Sequence, residues 1–311
     1  MCNKPIRKVT VLGMGLMGCG IAQVFARCED LIVYGYENFA PLPDVTGKIQ
    51  SSLQLLQQNG VMTENEVSGI LTRISVTSDL ATAVEDADFI IECVPENMEL
   101  KQNLFRDLDS MCKPGVILAT NTSVMSITEI ASKSSLRGRI VGTHFWNPPH
   151  LIPLVEVIKG DDTSESVMDA TLELLRRVGK HPIRVNKDVP GFVANRLQHA
   201  LWREAFSIVE RGIADAATVD EAIRFGPGLR LPVLAPLENA DMVGLDLTLA
   251  IHDYILKHLE DSHEPSLLLK EKVAAGELGF KTGCGFQTWT PEEADASRKR
   301  LSEYLIRTVT S

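Results

Sequence analysis

The sequence predicts an α/β protein in which an N-terminal doubly wound sheet is followed by an all-helical C-terminal domain. In the first half, short runs rich in β-branched residues alternate with helical stretches: Lys8–Leu12 reads as a strand, Met17–Arg27 as a helix and Leu31–Tyr36 as a strand. Such alternation indicates parallel strands joined by helices that cover both faces of the sheet. A length of 311 residues is more than one compact core usually needs. We therefore expect two domains, residues 1–188 and 189–311.

The remaining elements follow the same pattern up to the expected boundary. Further strands are predicted at Arg73–Thr77, Asp88–Glu92, Val116–Thr120, Arg139–Thr143, Leu154–Ile158 and Pro182–Asn186, with a helix at Val167–Val178. Beyond Asp188, which we expect to cap a long helix, the apolar residues recur at helical spacing. Further helices are predicted around Thr218–Phe225, Gly244–Asp261 and Ser266–Gly276.

Composition excludes several classes of partner. The net charge of -10 argues against nucleic-acid binding, which needs a basic face. No apolar run approaches the roughly 18–20 residues that span a bilayer, and we expect no signal peptide because the N-terminus leads directly into a predicted strand. The six cysteines show neither paired nor metal-ligand spacing. We expect a cytoplasmic protein without a metal, acting on a small molecule.

A glycine-rich turn follows the first predicted strand. The segment Gly13-Met-Gly15-Leu-Met-Gly18 ends that strand and opens the first helix. Gly13 allows the tight turn, Gly15 lets the backbone approach a pyrophosphate, and Gly18 permits close packing of helix on strand. Leu16 and Met17 lie at the N-terminus of the predicted helix, which attracts phosphates, and we expect them to contact the cofactor. The pattern predicts a Rossmann-type dinucleotide site; the alternative is a glycine-rich turn without a ligand.

An acidic residue at the end of the second strand favours one cofactor. Glu37 stands where an acid accepts hydrogen bonds from the adenosine ribose. Residues 38–44 contain no Arg or Lys that would neutralise a 2′-phosphate. The sequence therefore predicts NAD rather than NADP.

Six motifs, in order along the chain, resemble the signatures of the 3-hydroxyacyl-CoA dehydrogenase family. They are Glu92-Cys-Val-Pro-Glu96-Asn97, Asn121-Thr122-Ser123, His144-Phe-Trp-Asn147-Pro148, Leu154-Val-Glu156-Val-Ile158, Pro190-Gly-Phe-Val-Ala-Asn195-Arg196 and Gly279-Phe-Lys-Thr-Gly-Cys-Gly-Phe286. The resemblance implies an NAD-dependent oxidoreductase that acts on a secondary 3-hydroxyl, with fatty acid metabolism as the setting, and a homodimer formed through the helical domain.

The resemblance also implies roles for individual residues. His144 is expected to be the catalytic base and Glu156 its partner. Ser123 and Asn195 are expected to contact the substrate oxygen and His144. The residues implied near the cofactor are Glu96, Lys101 and Asn121.

The residues themselves make sense of the His–Glu pair. Oxidation of an alcohol needs a base whose pKa lies near neutral pH, which suits histidine. Glu156 interrupts an apolar strand, where an unpaired carboxylate would be costly to bury. The alternative is an exposed Glu156 on an edge strand and a loop histidine. For Ser123 and Asn195 the alternatives are a helix cap and a helix-start role.

The substrate is less clearly indicated than the reaction. From Ile49 through Thr72 there is no Lys or Arg, although fatty-acyl-CoA members of the family carry lysines there that suit the CoA phosphates. We therefore expect a small free hydroxy acid, with Arg230 as a carboxylate anchor and His150 at the substrate mouth; a helix-capping arginine and a turn histidine are the alternatives. Two other readings are a short-chain 3-hydroxyacyl-CoA (3-hydroxybutyryl-CoA) dehydrogenase and a crystallin-like NAD-binding protein without turnover. Trp146 is expected in the core or an interface.

Overall fold

The computed structural model describes residues 5–39 and 44–310, the last two of these for the backbone alone. The chain divides into two compact units. The first contains the described residues up to Asn195 and those from Ser302 onward, and the second contains Arg196–Leu301. The first unit therefore extends past residue 188 and also takes in the C-terminal end of the chain, which the sequence pattern did not indicate.

The first unit is built on one eight-stranded sheet. The strands are β1 Lys8–Leu12, β2 Ile32–Tyr36, β3 Ile74–Thr77, β4 Phe89–Glu92, β5 Ile117–Thr120, β6 Ile140–Phe145, β7 Leu154–Ile158 and β8 His181–Val185. Their order is β3-β2-β1-β4-β5-β6-β7-β8. The pairings are parallel except that between β6 and β7. The predicted doubly wound sheet is confirmed, with an antiparallel join near its β8 edge.

Helices cover the sheet on both faces. They are α1 Leu16–Ala26, α2 Val45–Gln58, α3 Glu64–Thr72, α4 Leu80–Val84, α5 Met98–Met111, α6 Ile127–Ile130 and α7 Glu165–Arg177. Local sequence fixes several of their starts: at α3, Thr63 and Glu66 form a reciprocal capping box, which satisfies amides that the helix leaves free. Each face of the sheet packs its own apolar cluster. Phe25, Phe89 and Phe145 form the aromatic centre of the larger one.

The second unit is all-helical, as predicted. Helix α8 spans Ala194–Glu210, and the helices that follow are α9 Ala216–Phe225, α10 Pro227–Arg230, α11 Pro236–Val243, α12 Leu245–Ile255, α13 Leu267–Ala274 and α14 Pro291–Thr310. Helix α14 was not predicted. From Ser302 onward this helix belongs to the first unit, where Ile306 is part of the larger apolar cluster. None of the described helices has the length and apolarity to cross a bilayer.

Asp188 does not cap the long helix, contrary to the prediction. Its carboxylate accepts hydrogen bonds from the hydroxyl of Ser126 (2.6 Å) and the amide of Thr128 (2.8 Å), at the start of α6. The helix begins later, because Gly191 (φ 75°) and Phe192 (φ 50°) adopt left-handed backbone that a helix cannot include. That turn directs the amides of Val193 and Ala194, at the start of α8, toward the carboxylate of Glu156.

Candidate active site

The glycine-rich turn has the geometry that a dinucleotide requires. Gly13 lies at φ 90°, and a Cβ there would sit 2.8 Å from the carbonyl oxygen of Cys93. A Cβ on Gly18 would sit 1.9 Å from the oxygen of Gly13. A Cβ on Gly15, by contrast, would meet no atom within 4 Å. Packing thus requires the first and third glycines, whereas the second faces space that a pyrophosphate can enter.

The start of α1 is prepared for an anion. Gly15 is its N-cap, no side chain caps it, and no acidic residue lies in its first turn. Its amides are therefore available to phosphate oxygens, and the helix dipole favours negative charge there. Leu16 is 74% exposed beside these amides, and Met17 is half-buried against the core.

The carboxylate of Glu37 is held in place beside this turn. It accepts a hydrogen bond from the amide of Met14 (3.0 Å) and another from the amide of Asn38 (3.0 Å). Glu37 follows β2 directly, so its position is fixed relative to the sheet. A fixed negative charge here favours a ribose hydroxyl over a 2′-phosphate. Part of the loop considered in the sequence, residues 40–43, lies outside the described residues.

His144 and Glu156 meet across the antiparallel strands. They are directly paired in the register of β6 and β7, and Nδ1 of His144 lies 2.8 Å from Oε2 of Glu156. The two side chains are 6% and 0% exposed. The sequence left open an alternative, an exposed glutamate on an edge strand and a loop histidine. In the structure both side chains are instead buried and lie on paired strands.

Glu156 is surrounded by donors. Its Oε1 accepts hydrogen bonds from the amides of Val193 (2.9 Å) and Ala194 (3.0 Å), which the left-handed turn at Phe192 directs toward it. Its Oε2 accepts from the indole of Trp146 (3.4 Å) as well as from His144. Burial alone would raise the pKa of Glu156, but the hydrogen bonds from His144, Ala194 and Val193 outweigh it and hold the pKa below its ordinary value. The carboxylate is therefore ionised and can only accept, so Nδ1 of His144 is the donor in their hydrogen bond.

Two aromatic rings hold the imidazole of His144. Trp146 and Phe192 lie against it with ring centroids 5.4 and 5.8 Å away. Trp146, which we expected in the core or an interface, is half-buried and lies beside the pair. One signal for this contact is present in the sequence, because Trp146 comes two residues after His144, just beyond the end of β6, and alternate residues of an extended chain point to the same side.

Ser123 and Asn195 are brought together on the same unit. The side-chain amide of Asn195 donates to the carbonyl oxygen of Ser123 (3.1 Å). The amide of Ser123 donates to Glu96 (2.9 Å), and Ser123 is exposed. The N-cap of α6 is Ser126 and not Ser123. The hydroxyl of Ser123 is therefore not used as the helix cap that the sequence left open.

Glu96 belongs to a charged network at the ends of β4 and β5. Lys101 is 1% exposed and lies 2.6 Å from Glu92 and 3.2 Å from Glu96. Burial raises the pKa of Glu92, whereas the hydroxyl of Thr122 and the charge of Lys101 overcome burial and lower the pKa of Glu96. Lys101 is enclosed between two carboxylates, so it positions Glu96 at the edge of the site. Asn121 accepts a hydrogen bond from the amide of Phe145 (2.9 Å), which ties β5 to β6.

His150 lies in the first unit and Arg230 in the second. Nε2 of His150 is 3.3 Å from the hydroxyl of Ser52 on α2, and the ring lines a separate cavity. Arg230 ends α10 in the second unit, is exposed, and forms no ion pair with any described residue. Neither the mouth role of His150 nor the anchor role of Arg230 is tested by these positions.

A doubly wound sheet with a dinucleotide turn and an acid at its second strand defines an NAD-dependent dehydrogenase. Comparison with known proteins carries this further. A model of the 3-hydroxyacyl-CoA dehydrogenase NAD-binding domain matches residues 8–189, and a model of that family's C-terminal domain matches residues 191–289. The chain therefore belongs to the 3-hydroxyacyl-CoA dehydrogenase family, and the predictions of NAD and of oxidation at a CH–OH group are confirmed.

Relatives with two kinds of substrate are similar to this chain. A 5-formyl-3-hydroxy-2-methylpyridine 4-carboxylate 5-dehydrogenase of Mesorhizobium japonicum is 34% identical over 97% of this chain and 96% of its own. A probable 3-hydroxybutyryl-CoA dehydrogenase of Bacillus subtilis is 38% identical over 90% of this chain and 96% of its own. Among solved structures, an NAD-dependent pyridine-carboxylate dehydrogenase of the first kind has a TM-score of 0.88 at 34% identity and covers 97% of both chains. The (S)-3-hydroxybutyryl-CoA dehydrogenase of Ralstonia eutropha has a TM-score of 0.77 at 35% identity, covering 92% of this chain and 99% of its own.

Proposed function

We propose that the protein oxidises the secondary hydroxyl of a small free hydroxy acid, with His144 as the base and Glu156 as its partner. The observation that carries this proposal is the saturation of Glu156. Both of its oxygens are occupied by donors, one of which is Nδ1 of His144. A buried carboxylate held so firmly has no other evident use than to orient and stabilise the imidazole.

In this proposal the cofactor takes part in hydride transfer and the protein in proton transfer. When bound, NAD supplies the acceptor for the hydride that leaves the carbinol carbon. Nε2 of His144 accepts the hydroxyl proton, so that the C–O bond becomes a carbonyl. The imidazolium formed is stabilised by the carboxylate of Glu156 on its other nitrogen. Reduction of a ketone is the same chemistry in reverse.

The neighbouring polar groups complete the site. We assign the hydroxyl of Ser123 to the substrate oxygen, because that residue is exposed and its backbone is fixed on both sides, by Glu96 and by Asn195. Asn195 then acts by placing Ser123. Glu96, Lys101 and Asn121 hold the loops beyond β4 and β5 on the cofactor side.

The preference for a free acid rests on charge. Helix α3 carries Glu64 and Glu66 in its first turn, and residues 49–72 contain no Lys or Arg. A CoA nucleotide with several phosphates would find no counter-charge there. Arg230, exposed and without an ion-pair partner among the described residues, is available to a carboxylate. A relative similar over nearly the whole chain is named for a pyridine carboxylate.

The second candidate is a short-chain 3-hydroxyacyl-CoA dehydrogenase, which the Bacillus subtilis relative favours. The deciding experiment measures NADH formation with free 3-hydroxy acids and aromatic hydroxy acids beside 3-hydroxybutyryl-CoA. We expect a higher kcat/KM with a free acid. A higher kcat/KM with the thioester would replace our proposal with the second candidate, and absence of turnover with any of them would favour a binding protein.

We also propose that two copies associate through residues 189–290. On a single chain this region exposes large apolar side chains, among them Phe225, Leu229, Val233, Leu237 and Tyr254. Such a surface is expensive to leave in water. Light scattering at micromolar concentration tests this, and a monomeric mass would contradict it. The five described cysteines are free, which suits the reducing cytoplasm that we propose as the compartment.

A further inference from the structure

A cavity of about 340 Å³ lies within the first unit. Its lining includes neither His144, Glu156, Ser123 nor Asn195, so it is not part of the proposed catalytic group. Much of its wall is apolar. The apolar side chains are those of Val24, Leu56, Val61, Leu151, Val178 and Ile306.

The wall also carries basic side chains. Arg27, Arg177 and Lys180 line the cavity together with His150, and none of the described residues that line it is acidic. Such a concentration of positive charge is notable in a chain whose net charge is -10. Like charges held close together raise the free energy of the site unless an anion joins them.

The protein compensates these charges poorly. Lys180 donates to the carbonyl oxygens of Pro149 and Ile152, which are neutral acceptors. Arg177 donates to the carbonyl oxygen of Ile6, and its distance to the carboxylate of Asp30 is 3.9 Å.

Arg27 forms no ion pair with a described residue. The acid on which its charge acts, Glu66, is already bound to Thr63 in the capping box of α3. The guanidinium of Arg27 is therefore the group most available to a ligand.

Electrostatic effects on the neighbours agree with this geometry. Burial, followed by the charge of Arg27, lowers the pKa of Lys180 to about 8. Burial, followed by the charges of Lys180 and Arg27, lowers the pKa of His150 to about 4. His150 is therefore neutral at pH 7, and its buried Nδ1 has no hydrogen-bond partner. Uncompensated positive charge and an unpaired buried nitrogen thus face the same cavity.

We propose that this cavity binds a small organic carboxylate with an apolar body, as a site separate from the one that His144 serves. Arg27 makes the charged contact, Lys180 adds positive charge, and the aliphatic wall receives the body of the ligand. An inorganic anion satisfies the charges but leaves the aliphatic wall in contact with water. A neutral ligand of the same shape fills the wall but leaves the charges uncompensated.

Three probes separate these contributions: benzoate, benzamide and inorganic phosphate. Calorimetric titrations use the full-length protein saturated with NAD at constant ionic strength. We expect benzoate to bind at least about tenfold more tightly than either benzamide or phosphate. Benzamide lacks the negative charge, and phosphate lacks the apolar body. Equal affinity for benzoate and benzamide, or for benzoate and phosphate, would overturn the proposal.

Two variants locate the binding. Arg27→Met is expected to weaken benzoate binding by about tenfold or more, the effect of losing one charged contact. Val61→Trp fills the cavity without a change of charge and is expected to abolish binding. Arg106→Met, on α5 and paired with Asp107, is the matched control and should leave the affinity unchanged.

Benzoate bound instead by Arg230, the proposed carboxylate anchor, would respond differently to substitutions. Arg230→Leu would then remove the binding and Arg27→Met would not, which would refute the second site while leaving the proposed function intact. Conversely, a protein that prefers 3-hydroxybutyryl-CoA and still binds benzoate through Arg27 would refute the proposed substrate and keep this site.

Discussion

The imidazole of His144 and the carboxylate of Glu156 face each other across the antiparallel strands β6 and β7, with Nδ1 and Oε2 2.8 Å apart. Opposed residues of an antiparallel pair are close without any contribution from loop geometry. The sheet itself therefore sets this distance. The turn at Phe192 adds the two amides that keep the carboxylate charged.

Replacement of His144 tests the base. His144→Gln is expected to lower kcat by about 10²- to 10⁴-fold, the usual range for loss of a general base. The affinity for NAD should remain unchanged, because the glycine-rich turn and Glu37 are untouched. Steady-state kinetics and an NAD titration measure both. His181→Gln, at the exposed start of β8, is the control; retention of most turnover by His144→Gln would show that another group is the base.

Replacement of Glu156 should affect both rate and stability. In Glu156→Gln the side-chain amide presents hydrogens to a site that holds only donors, so we expect a loss of about 1–3 kcal/mol in the free energy of unfolding as well as a lower kcat. The pKa of Glu156 is lowered in the folded protein from an ordinary value of 4.5. Its contribution is therefore fully present above pH 4.5 and is lost as pH falls through the lower folded value. Denaturant titrations at several pH values should show the difference from wild type shrinking in acid; a pH-independent difference would contradict this.

Replacement of Glu37 tests the choice of cofactor. The wild-type protein is expected to prefer NAD over NADP in kcat/KM by about tenfold or more. Glu37→Ala should narrow that ratio, because it removes both an acceptor for the ribose and a charge that repels a 2′-phosphate. The comparison uses both nucleotides at fixed substrate, with Glu64→Ala on α3 as the control. Equal use of the two nucleotides by wild type would refute the role of Glu37.

Replacement of Arg230 tests the substrate handle. A bidentate charged contact is typically worth about 1.5–3 kcal/mol, so Arg230→Leu should raise KM for the free acid by about 10- to 150-fold. Arg224→Leu, on the neighbouring helix α9, controls for the loss of one positive charge. An unaltered KM for the acid in Arg230→Leu would remove the carboxylate handle from the proposal.

His150 makes the fold sensitive to acid. Its pKa is about 4 in the folded protein against an ordinary value of 6.5, so the unfolded chain takes up the proton first as pH falls. The free energy of unfolding should therefore decrease between about pH 6.5 and 4, by up to about 1.4 kcal/mol per pH unit from this group. His150→Gln should remove that part of the slope, whereas His181→Gln should not. An unchanged slope in His150→Gln would show that the imidazole is not kept neutral by its surroundings.

The features that the sequence predicted well depend on local pattern. The three glycines and Glu37 lie within one strand–turn–helix–strand segment, so their spacing in the sequence determines their relative positions in the fold. The pairing of His144 with Glu156 was anticipated because the family resemblance supplied the contact and a carboxylate within an apolar strand required a partner.

The features that escaped prediction depend on contacts distant in sequence or on unusual backbone. The two amides that bind Glu156 reach it because Phe192 adopts a positive φ that a bulky residue rarely takes. Asp188 looked like a helix cap in its local sequence, but its partners Ser126 and Thr128 lie about sixty residues earlier. The basic cavity joins residues from Val24 to Ile306, and no single stretch of sequence reveals it.

Ile306, placed in the core of the first unit by the last turns of α14, makes that unit discontinuous along the chain. During synthesis its apolar cluster cannot be completed until the whole second unit has been made, because the residue that fills the last space arrives near the C-terminus. A fragment that stops at Asn195 would expose the apolar surface that Ile306 covers, both to solvent and to other copies of the fragment, and would therefore be prone to aggregate. In the intact chain, replacement of Ile306 by a charged residue would likewise leave the apolar cluster of the nucleotide-binding unit exposed, whereas the helical unit would be unchanged.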